Sequence, residues 1–284
     1  MDLHPLYVLA FAVGTTLGMF VLLQVGQRIT SPHALHTDLT ADNSARRFLR
    51  VGQVLAVFLV AASAVKSSAE GVSVTRDVTW VAAYGTVSLV LVALTGALGV
   101  RLLLQARLPA EIARGNVAAG LAAGAQYVAT GIITSRAIGG TDARNLVVSL
   151  AFFVLAQLSL QVFVGLHRAL TTYDDAEQIH GENLAAALSY AGLVISFAII
   201  IANALDGDFV SWEVSLRGYV EMLAFGLLLY PVRQIFVQVL LLRAPFTFRG
   251  GRLDKGIAVE RNEGLGALEA AAYLATALSI TRLV

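Results

Sequence analysis

Eight apolar stretches fall at roughly 6–26, 48–67, 79–102, 116–135, 146–167, 183–205, 219–242 and 263–283. Each comes close to the ~20 residues that a helix needs to cross a hydrocarbon core of ~30 Å. The second stretch of each pair opens on an asparagine: Asp42-Asn43, Gly115-Asn116-Val117-Ala118-Ala119, Glu182-Asn183-Leu184-Ala185-Ala186 and Arg261-Asn262-Glu263-Gly264. These asparagines stand 73, 67 and 79 residues apart (116−43, 183−116, 262−183). One two-span hairpin, copied four times, accounts for that period. A hairpin has an even number of spans, so every copy enters the bilayer in the same direction. The copies are parallel repeats about an axis along the membrane normal, which predicts a bundle or ring.

Hydrophobic residues make up 57% of the chain and charged residues 14%, against about 25% charged in an ordinary soluble domain. The fold class expected is therefore all-α, a polytopic membrane protein of eight transmembrane helices. A membrane β-barrel would alternate polar and apolar residues over ~10-residue strands, and Leu193–Ile201 does not. With no cysteine, thiolate chemistry is excluded. The net charge of +1 argues against a nucleic-acid partner. The first stretch lacks a basic n-region and reads as a retained span.

Thirteen Lys and Arg residues fall on the side of the connections between spans 1–2, 3–4, 5–6 and 7–8, and six on the other. The positive-inside rule makes the first side cytoplasmic and puts both termini outside, in a bacterial inner membrane. The 5–6 connection runs against that bias, with four acids (Asp174, Asp175, Glu177 and Glu182) against Arg168. The natural division is 1–140 and 141–284, two hairpins each.

The best internal match sets Glu111-x4-Asn116-x-Ala-Ala beside Glu177-x5-Asn183-x-Ala-Ala. This pattern of an acid, an Asn and Ala/Gly-rich turns resembles the YjfL-like membrane family, domain of unknown function 350, over about 250 residues. The resemblance implies a helical-hairpin unit, commonly present twice, so this chain looks like a duplication. It also implies work beside ATP-grasp ligases, polyamine-related enzymes or flotillin-like proteins. It implies no settled activity.

Asn43, Asn116, Asn183 and Asn262 suit helix N-caps, each worth about 1 kcal/mol over Ala. Converging at one mouth, they would instead hold an anion. Glu111 and Glu177, just ahead of helix starts, fit either account. Gly14-x3-Gly18 and Gly120-x3-Gly124 are GxxxG patterns for close helix packing. The Ala-rich even spans are expected at the centre, and the bulkier odd ones (Phe152, Phe153, Leu155, Leu158, Leu160) against lipid.

An ionisable residue mid-span costs about 2.5–3.5 kcal/mol on insertion scales, which singles out Glu221, Arg233 and Glu269. Glu221 and Arg233 are about 18 Å apart along one helix, too far to pair, whereas Arg233 and Glu269 sit at comparable depth on neighbouring spans. Gln157 and Gln161, like Gln234 and Gln238, share a helix face at i,i+4, and Gln126 adds to this polar set. Pro231 is expected to kink span 7. His33, His36, Asp38 and Asp42 form a weak metal candidate in the first loop. Arg249-Gly250-Gly251-Arg252 suits lipid headgroups.

No catalytic motif and no cofactor site emerges, and the expected partners are the lipid bilayer, a cytoplasmic protein or a second copy. The function favoured is a channel- or transporter-like bundle for a small ion or solute, and the alternative is a scaffold that recruits a cytoplasmic enzyme or stabilises a membrane assembly. Convergence of Gln157, Gln238, Glu269 and Arg233 on an internal cavity favours the first, and pairing in a dry core the second.

Overall fold

The computed structural model describes residues 4–30, 43–71, 73–104, 108–207 and 209–284, in which all regular structure is helical. The elements are α1 (His4–Thr30), α2 (Ser44–Ser68), α3 (Val74–Leu104), α4 (Leu108–Ala113), α5 (Val117–Ala137), α6 (Ala143–Leu170), α7 (Asp175–His180) and α8 (Leu184–Ala204). A broken span follows, comprising α9 (Trp212–Ala224), a 3₁₀ turn (Phe225–Leu228), α10 (Leu229–Val232) and a π-helical stretch (Arg233–Leu241). Then come α11 (Arg252–Ala258) and α12 (Glu263–Leu283). Among the described residues, seven helices are long and apolar enough to cross a bilayer: α2, α3, α5, α6, α8, the broken span and α12. In α1 the apolar stretch described is Leu9–Leu23, shorter than the seven others.

Each marker asparagine caps its helix. The Oδ1 atoms of Asn43, Asn116, Asn183 and Asn262 accept from the amides of Arg46, Ala119, Ala186 and Leu265 at 3.0–3.2 Å. The short helices α4, α7 and α11, which sequence periodicity does not reveal, run directly into these caps. In two of them a Schellman turn makes the join: Asn116 N donates to Glu111 O and Gly115 N to Ile112 O, and Asn183 and Glu182 repeat the pattern on Gln178 and Ile179. Such a turn needs a left-handed residue, and Gly115 supplies it freely at φ 97°. Glu182 and Arg261, at φ 62° and 52°, adopt it at some cost in strain.

The even spans form the core. Any Cβ on Gly120 would meet the backbone of Ala45, on Gly124 that of Phe48, on Gly52 that of Gly124, and on Gly131 that of Ala56. Gly266 meets Ala185 and Gly192 meets Ala270 in the same way. Counted from each asparagine, positions 2, 9 and 13 of one helix face positions 4, 8 and 15 of the next. Between α5 and α8 these positions are all alanine (Ala118, Ala125, Ala129, Ala187, Ala191, Ala198) and all buried. The same register thus recurs at every junction.

That register decides the shape. At 3.6 residues per turn the two contact faces of one helix lie about 140° apart, whereas closing a ring of four requires about 90°. Accordingly α2 packs on α5, α5 on α8 and α8 on α12, and α2 and α12 share no packed interface among the described residues. The four hairpins form an open arc, so of the bundle or ring expected it is the closed ring that is not formed. Matching ends hold the register: Ser63 and Ser68 of α2 donate to the carbonyls of Ser135 and Gly140, and Arg136 pairs with Asp206 at 3.1 Å.

Odd spans lie in the grooves between neighbouring even ones: α3 on α2 and α5, α6 on α5 and α8, the broken span on α8 and α12. Each is two-faced. On α6, Leu158 is exposed as expected, but Phe153 and Leu160 are buried, since i,i+7 positions share the inward stripe. Gly120 and Gly124 bring backbones together. Gly14 and Gly18, by contrast, are exposed on α1 with nothing within 4 Å of an added Cβ, so they pack on nothing among the described residues.

Candidate functional site: a buried arginine in the fourth hairpin

Pro231 has no amide hydrogen to give, and its ring crowds the preceding turn. Around it the span tightens to 3₁₀ at Phe225–Leu228 and loosens to π at Arg233–Leu241, an irregularity that often marks a working part of a helix. Arg233 opens the π stretch and is wholly buried. Its Nε donates to Glu269 Oε1 on α12, and its Nη2 to Asp254 Oδ1 on α11. The guanidinium carbon also stands 5.6 Å from the Tyr230 ring centroid, within cation–π range.

The two carboxylates differ in their surroundings. Asp254 Oδ2 accepts from Thr172 N at 2.8 Å and Thr172 Oγ1 at 3.0 Å. Glu269 Oε1 accepts additionally from Tyr273 OH at 3.0 Å, and Tyr273 OH meets His167 Nε2 at 2.8 Å. Glu269 Oε2 is buried and has no hydrogen-bond partner. One guanidinium therefore faces two carboxylates. Close by, buried Asp175 pairs with Arg168 at 3.2 Å. Burial pushes the Asp175 carboxyl up to about 7, against the pull of Arg168.

The glutamines of this span hold a loop. Tyr230, Gln234 and Gln238 stand at i, i+4 and i+8. Tyr230 OH donates to Phe248 O (2.8 Å), Gln234 Nε2 to Thr247 O (2.8 Å) and Gln238 Nε2 to Pro245 O (3.0 Å) and Thr247 Oγ1 (2.7 Å). The segment between the broken span and α11 is thereby pinned, and it displays Phe246 and Phe248, 56% and 72% exposed.

Other sequence candidates lie apart from this cluster. Glu221 is exposed and pairs with Arg217 at 2.8 Å. Gln157 and Gln161 lie partly buried on α6, and buried Gln157 Nε2 has no acceptor. Gln126 accepts from Tyr190 OH at 3.1 Å. The asparagines do not pool their amides at one mouth. Instead Asn43, Asn116 and Asn183 donate to the carbonyls of Ile112, Ile179 and Ile257, at 2.9, 2.8 and 2.8 Å, each on the next hairpin's short helix.

Glu111 accepts from the Asn116 amide at 2.8 Å, and its pairing with Arg114 holds its carboxyl below the usual range. The residue in the corresponding place before Asn183 is Gln178 (2.7 Å), not the exposed Glu177 set opposite Glu111 in the sequence match. The Schellman turn counts five residues back from the asparagine, which selects Gln178. His33, His36, Asp38 and Asp42 lie outside the described residues. Among those described, no group of three His, Cys, Asp or Glu is placed to hold a metal.

A groove of about 470 Å³ between the broken span and α12 is lined by Phe225, Leu228, Val232, Phe236, Ala275 and Ile280, among others. A cleft of about 710 Å³ lies at the end opposite the asparagines, with Arg136, Asn145, Asn203 and Asp206 in its wall. Neither is lined by Arg233, Glu269 or Gln238.

Tandem hairpins with long apolar helices and a buried ion cluster in the last copy define a multi-pass, all-α membrane protein with an internal repeat. The family model described as Domain of Unknown Function (DUF350) matches residues 1–138 and again 141–284, so the chain belongs to that family and carries its unit twice. No curated protein and no solved structure matches it.

Proposed function

We propose that the protein is a scaffold of the bacterial inner membrane, without catalytic activity of its own, that presents a fixed loop to a cytoplasmic protein. One observation carries this reading. Tyr230, Gln234 and Gln238 each donate to a carbonyl of residues 245–248, Tyr230 OH also meeting Leu170 O at 3.0 Å, and Arg233 reaches Asp254 just beyond. Polar groups that would otherwise line a route are committed to holding a loop. Exposed Phe246 and Phe248 beside Arg243 and Arg249 suit a partner surface that is apolar with an acidic rim. The excess of Lys and Arg on the asparagine-bearing side supports a cytoplasmic position for this loop.

A second reading, a route for a proton or small cation, draws on Glu269. Its Oε2 has no donor, and the cluster holds one more carboxylate than it has guanidinium groups. A buried carboxylate oxygen without a donor offers an acceptor to a passing proton or small cation.

Both readings are tested by reconstituting the full chain in liposomes with proton, sodium and potassium flux readouts, alongside photocrosslinking in cells from position 248. The scaffold expects flux no higher than in empty vesicles. It also expects a crosslink to one soluble protein that is lost in the Gln234→Ala/Gln238→Ala variant. Flux in the wild type that Glu269→Gln abolishes would overturn the scaffold in favour of the second reading.

A further inference from the structure

The cleft at the end opposite the asparagines is walled by the ends of α5, α6, α8 and α9. Arg136 stands in the last turn of α5, Asp206 directly follows α8, and half-exposed Trp212 opens α9. Basic and tryptophan side chains at span ends sit at the level of lipid headgroups. The wall sets Arg136, Asn145, Asn203 and Asp206 beside the rings of Phe152 and Phe209.

The polar groups of this wall are under-used. Arg136 Nη1 donates to Asp206 Oδ1 at 3.1 Å, with both side chains about half exposed. A guanidinium has further N–H donors, and among the described residues neither these nor Asp206 Oδ2 has a hydrogen-bond partner. Asn203 Nδ2 reaches only Met222 Sδ, at 3.7 Å, and a thioether is a weak acceptor. Donors and a carboxylate, side by side and open, match a ligand that carries an anion and a cation a few bonds apart.

The cleft continues into the apolar groove between the broken span and α12. Val284 lines both. On the broken span the wall passes from Met222, in the cleft, to Phe225, in the groove, and i,i+3 neighbours share a helix face. From there the groove runs toward mid-span, past Leu228 and Val232 on one side and Ile280 and Thr276 on the other. A soluble zwitterion would leave the groove empty, and a plain hydrocarbon would leave the polar wall unused. An amphiphile matches both.

We propose that cleft and groove together hold one phospholipid whose headgroup carries a phosphate and a primary ammonium, as in phosphatidylethanolamine. The phosphate accepts from the Arg136 guanidinium and the Asn203 amide, an anion for which arginine is well suited. The ammonium donates to Asp206, and one acyl chain lies in the groove. The site is at the opposite end of the spans from the loop at 245–250, so it stands apart from the scaffold reading and survives that reading's failure.

The full chain, purified in mild detergent and stripped of lipid, is offered phosphatidylethanolamine and phosphatidylglycerol in equal amounts, with the same acyl chains, and read by native mass spectrometry. One phosphatidylethanolamine per chain is expected, retained about tenfold above phosphatidylglycerol, the worth of one charge-assisted hydrogen bond. Asp206→Asn is expected to bring the two lipids level, since the ammonium loses its carboxylate while the phosphate keeps Arg136. The pair it breaks is exposed, so the fold should hardly notice. Ala275→Trp fills the groove and is expected to weaken both lipids about tenfold, whereas Val154→Trp, on the exposed face of α6, weakens neither. Equal retention of the two lipids by the wild type means boundary lipid only and overturns the proposal. So does a preference that survives Asp206→Asn, or wild-type binding by Ala275→Trp.

Discussion

Replacing Arg233 by Met is expected to be among the most damaging changes in the chain, and replacing Glu269 by Gln nearly harmless. Arg233 is fully buried between two carboxylates that have no other cation among their partners. Removing it leaves two like charges in a water-poor core, and breaking a buried pair in this way costs about 3–5 kcal/mol. Glu269→Gln acts in the opposite sense. It removes the surplus negative charge, keeps an oxygen for Arg233 and Tyr273, and abolishes an ionised oxygen that had no donor. Its cost is expected within about 1 kcal/mol either way.

At about 2–4 °C per kcal/mol for chains of comparable size, Arg233→Met lowers the melting temperature by about 10 °C. Glu269→Gln shifts it by a few degrees at most. Thermal unfolding in detergent, followed by the fluorescence of Trp80 and Trp212, reads both, and Arg233→Met/Glu269→Gln is expected to recover part of the loss. If Glu269→Gln destabilises as much as Arg233→Met, the charge imbalance argument fails.

The asparagines should separate by their further bonds. Asn116→Ala and Asn183→Ala lose a cap, an inter-hairpin hydrogen bond and the bond to Glu111 or Gln178, about 3 kcal/mol together, whereas Asn262→Ala loses a cap, about 1 kcal/mol; equal losses across the series in thermal unfolding would contradict this. Asp175 gives a pH dependence. Its folded value of about 7 lies above the ordinary 3.8, so between these values the unfolded chain releases a proton that the folded chain keeps. Stability therefore falls as pH rises from about 4 to 7 and levels off above, by about 4 kcal/mol in all. Asp175→Asn is expected to match the wild type near pH 4 and exceed it at pH 8, and unfolding profiles across that range check the sign.

What the sequence makes legible is whatever rests on local chemistry. Asn116 announces a cap because its oxygen serves an amide three residues on, and the Ala/Gly content of α5 and α8 announces burial because small residues permit close approach. Arg233 and Glu269 could be paired by depth on adjacent spans. Hidden were the contacts between distant segments: Asp254 reads as a loop acid until α11 folds beneath Arg233, and its other partner, Thr172, is 82 residues away. The two Gln-x3-Gln pairs look equivalent, yet only Gln234 and Gln238 have a loop folded back within reach. Likewise Glu177 resembles Glu111 by composition, and the turn geometry picks Gln178.

The roughly 140° separation of contact faces has a bearing on how such chains grow. A ring fixes its membership, since inserting one more unit means opening two joints and re-angling the rest. An arc accepts a further hairpin at its edge and disturbs nothing already built. Duplicating a coding segment can therefore lengthen this architecture by whole units, each arriving with its own cap and its own half of the next joint.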